Sequence, residues 1–341
     1  MTLKIAFAPC SVLWFAIAAG LAIALAVAER PVRVVRCSAA VYDEDLFVPG
    51  KTVLDKRSTN FRPLTSYDRM QVETIGYEAL TYSAYTEQAS IDYRDQLTPI
   101  KDQGFCGSCW AHAIVETVEW HLFNQSGKRV ALSTMQLTAC VGKGYATGCS
   151  GGFPIDVMSF YAQTGRPIVP ASVYPYSPHL LLPPASINFD LSCIQCDINS
   201  SLFAPFTRST LFDPSASITR WGGSQWNYTA NPPNVPNTAV LSTMLVSHGP
   251  LVVVVDASGW GDYLGGLFPA ANCSSDWQDL DHAVQLVGFT EEAWIVRNSY
   301  SANWGENGFI RLQRRDEDGT LLNTCGIAYE PVWLEVDVIQ A

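Results

Sequence analysis

Two hydrophobic patterns follow one another along the chain, and their order limits the possible folds. Between residues 108 and 165 apolar residues recur at helical spacing, as at Ala111, Ile114, Val115, Val118 and Leu122. From residue 251 to 312 the chain carries short β-branched and aromatic runs separated by glycine, a pattern typical of antiparallel strands. A helical half followed by a strand half predicts an α+β fold with two sub-domains. A cleft between two such halves is a natural place for a substrate.

Local signals set the expected limits of these elements. A first helix is predicted over 108–123 and is ended by Asn124 to Gly127. A second is predicted from Ser133, because its spacing to Gln136 is that of a capping box. A third is predicted from Pro154 to Gly165. Strands are predicted over 251–256, 283–289, 294–297 and 309–312.

The first 28 residues have the features of a secretory signal peptide. The run from Cys10 to Ala28 is almost wholly apolar and ends in the small-residue site Ala26-Val27-Ala28. We expect cleavage after Ala28 and no membrane attachment afterwards. A retained anchor is the alternative, because the run is long enough to span a bilayer. In both cases the remaining chain enters an oxidising compartment, and we expect it in a lysosome-like acidic compartment or outside the cell.

Composition narrows the class of protein. Hydrophobic residues make up 48% of the chain and charged residues 16%, which excludes a disordered protein. The net charge of −11 argues against nucleic-acid binding, which usually needs a basic face. Ten cysteines are many for a cytosolic enzyme. Sequons at Asn124, Asn199, Asn227 and Asn272 predict a glycoprotein.

The sequence divides into three expected regions. Residues 1–28 are the signal peptide, 29–89 is a polar stretch that precedes the main body, and 90–341 is that body, which we expect to be monomeric. Within that body, 177–240 is rich in proline, serine and asparagine, which predicts long irregular loops.

The segment 103–110, Gln-Gly-Phe-Cys-Gly-Ser-Cys-Trp, carries the sharpest chemical signal. Cys109 falls at the start of the first predicted helix, where free N–H groups favour a thiolate. A thiolate nucleophile needs a base and an orienting partner for that base, and His282 and Asn298 lie at the ends of neighbouring predicted strands. Gln103 could direct its amide at an oxyanion.

These residues and their surroundings resemble papain-like cysteine peptidases of the cathepsin group. The resemblance runs from about residue 91 to 329 and includes Ile91-Asp92-Tyr93-Arg94, Gly148-Cys149-Ser150-Gly151-Gly152, Tyr174-Pro175-Tyr176, Gly249-Pro250 and Asn303-Trp304-Gly305-Glu306-Asn307-Gly308. It implies a helical half with a long central helix, an antiparallel β-barrel-like half, and an active-site cleft between them. It also implies that Cys109 is the nucleophile, His282 the base and later the acid, Asn298 the orienter and Gln103 the oxyanion donor. The substrates would be peptides or proteins, and the enzyme's own pro-segment, residues 29–89, its inhibitor.

The resemblance also implies which residues bind substrate. They are Gly107, Gly151 and Gly152 along the cleft, Phe153 and Pro154 in the main specificity pocket, and Trp304 on the leaving-group side. Glu330 would form the floor of that pocket and accept arginine, unless Pro331 turns it out to solvent. No inserted loop carries paired histidines, so endopeptidase activity is favoured.

The sequence departs from the family pattern at three points. Cys109 and His282 are 173 positions apart, more than is usual, and the excess fits the 177–240 segment. Tyr300 replaces the usual tryptophan that shields the Asn–His hydrogen bond. His112 replaces an apolar residue and is read as a core or supporting histidine.

The remaining cysteines are expected to form disulfides. The resemblance implies Cys106–Cys149, Cys273–Cys325, and Cys140 with either Cys193 or Cys196. Cys37 could pair with the cysteine left over, or could cap Cys109 in a dormant precursor.

Other classes of protein remain possible at this point. Cys106 and Cys109 form a C-x-x-C pair that by itself suits a thiol-disulfide oxidoreductase. The same pair with His112, Cys193 and Cys196 could hold zinc, and a non-catalytic family member is a third option. The preferred assignment needs neither a metal nor another cofactor.

Overall fold

The computed structural model describes residues 77–80, 90–141, 148–178, 215–224 and 238–339. The predicted signal peptide, most of the predicted pro-segment and most of 177–240 lie outside these ranges. So do Cys37, Cys193, Cys196 and the sequons at Asn199 and Asn227. Within the described ranges, no helix has both the length and the hydrophobicity needed to cross a bilayer.

The helices are α1 (Cys109–Ser126), α2 (Thr134–Cys140), α3 (Pro154–Thr164) and α4 (Thr238–His248). The strands are β1 (Tyr77–Leu80), β2 (Ile91–Asp92), β3 (Ser215–Ser224), β4 (Leu251–Val255), β5 (Leu267–Phe268), β6 (His282–Phe289), β7 (Ala293–Arg297), β8 (Phe309–Gln313) and β9 (Val332–Ile339). Single 3₁₀ turns cover Arg94–Gln96, Gly148–Ser150, Ala270–Asn272, Trp277–Asp279 and Thr324–Gly326.

The strands form one mixed sheet in the order β1-β3-β9-β4-β6-β7-β8-β5, and β2 pairs with β6. The four strands predicted from sequence pair antiparallel, β4 with β6, β6 with β7, and β7 with β8. The α+β class is therefore confirmed. The sheet is not a closed barrel, because its end strands β1 and β5 each have one described partner, paired in parallel.

The central helix α1 is buried almost all round, and every residue from Cys109 to Leu122 is buried. A helix that has no polar face lies inside a protein rather than on its surface. It was predicted to end at Phe123 but continues to Ser126, where Gly127 terminates it at φ 70°. The extra turn is held by a tertiary contact, since the Gln125 side-chain amide donates to the Val336 carbonyl at 2.9 Å.

Alternate residues of β4 supply two separate hydrophobic cores. Val252 and Val254 pack into the core around α1 and α3. Leu251, Val253 and Val255 pack into the core that α4 and the other sheet face enclose. Because side chains alternate across a strand, an uninterrupted apolar run means that both faces are covered. The sheet therefore separates a core that contains α1 and α3 from a core that contains α4.

The prediction of irregular loop throughout 177–240 was wrong for residues 215–224. This stretch forms β3, which pairs antiparallel with β9 over its full length. Its serines and glycines hide the strand signal, but Ala216, Ile218 and Trp221 are buried in the first core. Burial of these three side chains and the ladder with β9 outweigh the weak local strand preference.

Candidate active site

The nucleophile candidate lies at the first position of α1. Cys109 is a free thiol and fully buried. The turn before it is fixed by the disulfide Cys106–Cys149 and by a hydrogen bond from the Gly107 amide to the Cys149 carbonyl at 2.9 Å. The sulfur therefore lies at the helix N-terminus, where unpaired N–H groups favour an anion.

The base candidate and its partner meet where two antiparallel strands place their ends together. His282 is the first residue of β6, and Asn298 directly follows the last residue of β7. His282 Nε2 and Asn298 Oδ1 are 2.9 Å apart. The same oxygen accepts from the Ser299 amide at 2.8 Å, which identifies it as the amide oxygen. An amide oxygen only accepts hydrogen bonds, so Nε2 carries the proton and Nδ1 is the basic nitrogen.

The backbone joins the sulfur to this pair. The amide of Ala283, the residue after His282, hydrogen-bonds the sulfur of Cys109. Nδ1 of His282 is buried and makes no hydrogen bond with the described residues. Cys109 and His282 therefore belong to one buried site, with the basic nitrogen unengaged.

Burial sets the protonation of both groups. It raises the pKa of the Cys109 thiol to about 11, although the amides of Ala283 and Trp110 act in the opposite direction. It lowers the pKa of His282 to about 4, although the hydrogen bond that His282 donates to Asn298 acts in the opposite direction. Each group is thus neutral near pH 7 in this structure, because an isolated charge would be desolvated.

Gln103 is held from both sides of its amide. Its Oε1 accepts from the Ser299 hydroxyl at 2.6 Å, and its Nε2 donates to the Cys106 carbonyl at 3.0 Å. Its backbone N–H donates to the Ser299 carbonyl at 2.9 Å. Gln103 is therefore fixed between the segment after Asn298 and the turn before Cys109.

Aromatic rings enclose the imidazole. Tyr300 stacks on His282 with ring centroids 4.9 Å apart, and Trp260 meets it edge-on at 6.0 Å. Trp304 packs against both Trp260 and Tyr300. Asn298 is fully buried, so Tyr300 with these tryptophans excludes water from the His–Asn bond. Sequence reasoning missed Trp260, because neither its spacing nor its neighbours mark it.

Tyr176, which belongs to a motif of the resemblance, and His112 support the turn before the nucleophile. The Tyr176 hydroxyl lies 2.5 Å from the Ser108 hydroxyl and donates to the Gln103 carbonyl at 3.1 Å. The His112 Nδ1–H donates to the Ser108 carbonyl at 2.9 Å, and the ring meets the Tyr176 ring edge-on. Burial lowers the pKa of His112 to about 3, so it is neutral. These contacts are those of a supporting histidine.

The predicted substrate-binding residues occupy mixed environments. Gly151 has φ 112°, a conformation that favours glycine, and Gly107, Phe153 and Pro154 are buried. Glu330 is only 3% exposed and is not turned out to solvent. Its place in the specificity pocket stays a prediction, as do the roles of Gly152 and Trp304.

The disulfides bear on the alternative classes. Cys106 is bonded to Cys149 and Cys273 to Cys325. Cys140 is also disulfide-bonded, and its predicted partners lie outside the described residues. Since Cys106 is already bonded, the C-x-x-C pair is not a dithiol here and cannot serve as an oxidoreductase couple or as two zinc ligands.

Comparison with known proteins places the chain in a family. Residues 88–334 match the model described as papain family cysteine protease. The chain therefore belongs to the papain family of cysteine proteases, and the resemblance inferred from sequence is confirmed.

Individual relatives agree with this assignment. The chain is 32% identical over 254 residues to digestive cysteine proteinase 1 of Homarus americanus, covering 72% of this chain and 66% of that protein. It is 28% identical over 251 residues to cathepsin 7 of Mus musculus, covering 70% and 63%. These matches span slightly less than two thirds of the relatives' own lengths.

A solved structure has a similar fold. Digestive procathepsin L 3 from the larval midgut of Tenebrio molitor superposes with a TM-score of 0.56 at 26% identity, covering 80% of this chain and 79% of that chain.

Proposed function

We propose that the protein is a cysteine endopeptidase that cleaves peptide bonds through an acyl-enzyme intermediate. The observation that carries the proposal is the 2.9 Å bond between His282 Nε2 and Asn298 Oδ1, beside a sulfur that is hydrogen-bonded by the next residue of β6. This arrangement presents the basic nitrogen of the imidazole while the other nitrogen is held.

The reaction follows from these roles. The proton of Cys109 moves to His282 Nδ1 as the sulfur attacks the scissile carbonyl carbon. The carbonyl oxygen becomes an oxyanion, which the Gln103 amide stabilises. The imidazolium then gives its proton to the leaving amine, and a thioester remains on Cys109. His282 takes a proton from water as the water attacks the thioester, and returns it to the sulfur when the acid product leaves.

The opposed pKa shifts fit this sequence of steps. Moving one proton from sulfur to Nδ1 creates the thiolate and the imidazolium together, and each charge compensates the other. Neither group then carries the full free-energy cost of desolvating an isolated charge. Burial alone favours the neutral thiol and the neutral imidazole, and transfer of the proton between them forms both ions together.

A dormant precursor is part of the proposal. Cys109 is fully buried in this structure, whereas a peptide must touch the sulfur to react. Residues 29–89 would be the inhibitory pro-segment, removed near Ala89-Ser90 in an acidic compartment. The similarity to a procathepsin supports this assignment. The exposed sequon residues Asn124 and Asn272 are compatible with passage through the secretory pathway.

Peptides with arginine or an apolar residue in the main pocket are the proposed substrates. Glu330 is buried, and a carboxylate at the floor of the main pocket would accept the cationic side chain of arginine. Phe-Arg and Arg-Arg reporter peptides, each tested with the parent enzyme and with Glu330→Ala, separate the two preferences. No Arg-Arg cleavage, or no change on substitution, removes Glu330 from the pocket.

The test of the activity uses the full-length chain before and after acid treatment. An epoxide inhibitor specific for cysteine peptidases should label Cys109 only after activation, and N-terminal sequencing should find the new terminus near residue 90. Cys109→Ser should fold, shown by an unchanged circular dichroism spectrum, but should hydrolyse no peptide. Peptide hydrolysis by that variant, or insulin reduction without proteolysis by the parent, refutes the proposal.

A further inference from the structure

A buried ion pair lies directly behind the proposed catalytic pair. Arg297 is the residue before Asn298 and is fully buried, and its guanidinium NH2 lies 3.4 Å from a carboxylate oxygen of Glu116. Glu116 is on α1, about two turns after Cys109. The same guanidinium nitrogen donates to the carbonyls of Thr98 at 3.1 Å and Pro99 at 2.8 Å. One side chain thus joins three separate segments.

A second pair lies beside the first. Glu119, one turn further along α1, accepts from Lys101 Nζ at 2.5 and 2.6 Å and from the Leu132 amide at 2.6 Å. It also accepts from the Thr98 hydroxyl, which Arg297 NH2 contacts at 3.3 Å. We call Lys101, Glu116, Glu119 and Arg297 the buried ion cluster, whose two cations and two carboxylates balance.

The segments that meet at this cluster lead to three of the four proposed catalytic residues, and the fourth, His282, is hydrogen-bonded to one of them. Helix α1 begins at Cys109, the segment 98–103 ends at Gln103, and β7 leads directly into Asn298, which holds His282. Beyond the cluster, segments 101–103 and 299–301 run side by side, joined by Gln103 N to Ser299 O at 2.9 Å and Ser301 N to Lys101 O at 3.0 Å. The cluster therefore lies at the base of the only described ladder that connects the oxyanion donor with the orienter.

A contribution to folding stability does not by itself explain why Arg297 and Glu116 form a buried ion pair. Desolvating two charges costs about as much as their attraction returns, so well-packed apolar residues often serve stability equally well or better. The Arg297–Glu116 contact also lacks hydrogen-bond geometry, and Arg297 Nε and NH1 are buried without a hydrogen-bond partner among the described residues. What the guanidinium provides is reach, because its NH2 nitrogen alone contacts Thr98, Pro99 and Glu116.

We propose that Arg297 and Glu116 are positioning residues for the peptidase reaction, tying the helix of the nucleophile and the strand of the orienter to the segment that ends at Gln103. This inference rests on the proposed function, because it concerns the same site. Arg297 would fix the backbone on either side of the catalytic cleft, and Glu116 would supply the charge that allows the guanidinium to be buried there.

Removing one charge from the buried ion cluster should change the pKa values of Cys109 and His282. The charged or titratable groups around it are His112, Glu116, Glu119, Lys101 and Arg297, together with Asp281 beside His282. Burial raises the pKa of Glu116, and Arg297 acts against that rise. Neutralising Glu116 leaves the cluster with one extra positive charge, which favours thiolate and disfavours imidazolium. Both limbs of the pH–rate profile should then move to lower pH.

The experiment uses activated enzyme whose active sites are counted with the epoxide inhibitor, so that kcat refers to folded enzyme. Glu116→Gln should lower kcat by about ten- to a hundredfold, as a misplacement of about 1 Å does, and should move both limbs down by about half a pH unit. Arg297→Lys keeps the charge but has a shorter side chain, so its nitrogen does not reach the position of NH2. This variant should lower kcat but leave KM and both limbs of the pH–rate profile nearly unchanged. The double variant Glu116→Gln/Arg297→Met should return both limbs to their parent pH values but should not restore kcat.

An exposed pair of the same residue types provides the matched control. Arg220 and Glu335 are 2.8 Å apart on β3 and β9, with side chains 48% and 41% exposed. Arg220→Met and Glu335→Gln should leave kcat and both limbs at parent values, because exposed pairs are screened and weakly coupled to the site.

The outcomes separate the inference from the proposed function. If activated parent enzyme cleaves no peptide, the proposed function fails. If the parent is active but titrated Glu116→Gln and Arg297→Lys keep its kcat and pH limbs, the positioning role is overturned. If Glu116→Gln does not fold, Glu116→Asp retains the charge with a shorter reach. It should lower kcat without moving the limbs, and an unchanged kcat overturns the inference.

Discussion

Substituting Gly308 by alanine tests whether the backbone around Asn298 is as tightly constrained as the structure indicates. Gly308 has φ 91°, and its carbonyl accepts from the Asn298 amide at 2.9 Å. A Cβ at this position would lie 2.6 Å from Cγ2, 2.7 Å from Cγ1 and 3.0 Å from Cδ1 of Ile100. Because both branches of Ile100 are in the way, a rotation about its χ1 cannot relieve the contact.

The expected loss of stability has two parts. A non-glycine residue in the left-handed region costs about 1–2 kcal/mol. Overpacking against Ile100 adds about 1–3 kcal/mol, for a total of about 2–5 kcal/mol. Gly319 is the matched control, because it has φ 80° but no atom within 4 Å of the Cβ position, so Gly319→Ala should lose only the first part.

Urea unfolding followed by tryptophan fluorescence measures both variants, in a Cys109→Ser background that prevents self-digestion. In the active background Gly308→Ala should also lower kcat/KM by about tenfold or more, because it displaces the backbone that holds Asn298. Adding Ile100→Ala should return part of the stability lost in Gly308→Ala. Equal losses for Gly308→Ala and Gly319→Ala, or no coupling to Ile100, would refute the reasoning.

Three further predictions concern the site and its burial. Gln103→Ala should lower kcat by about 10²–10³-fold with a small change in KM, measured by steady-state hydrolysis of a reporter peptide; an unchanged kcat removes Gln103 from oxyanion binding. In the uncleaved chain, iodoacetamide should modify Cys109 slowly at pH 7 and faster as the pH approaches the thiol pKa of about 11, followed by mass spectrometry. A fast reaction at neutral pH would contradict the burial. Burial also holds the pKa of His282 and His121 at about 4 and that of His112 at about 3, so below pH 6.5 the unfolded chain binds protons that the folded chain excludes. Stability should therefore fall from pH 6.5 to 4, and a flat urea midpoint over that range would contradict it.

Local signals predicted elements well where the chain itself supplies the partner. The Ser133 hydroxyl accepts from the Gln136 amide at 3.0 Å, as its spacing indicated, and Gly165 ends α3 at φ 60°. The second half of the predicted capping box does not form. The Gln136 side chain instead donates to the Pro167 carbonyl and accepts from the Val169 amide, which are tertiary contacts. Local rules therefore fix the start and end of an element more reliably than they fix the partners of its side chains.

The strand β3 shows where such rules fail. Its sequence of serine, threonine and glycine around Ile218 and Trp221 has a weak strand pattern. The hydrogen bonds that make it a strand come from β9, more than a hundred residues later, and from β1, more than a hundred residues earlier. A pairing partner so distant in sequence leaves no local signal.

The sequence alone determined the class of fold, the likeness to papain-like peptidases and the four candidate catalytic residues, because these depend on hydrophobic period, helix position and motif order. Only the tertiary structure decided that Trp260, with Trp304 packed against it, meets the imidazole edge-on, and that Arg297 meets Glu116. The direction of the pKa shifts at Cys109 and His282 likewise depends on burial. Burial and ion pairing depend on which distant segments pack together, and a charge on a helix or at the end of a strand carries no mark of its partner until the chain has folded.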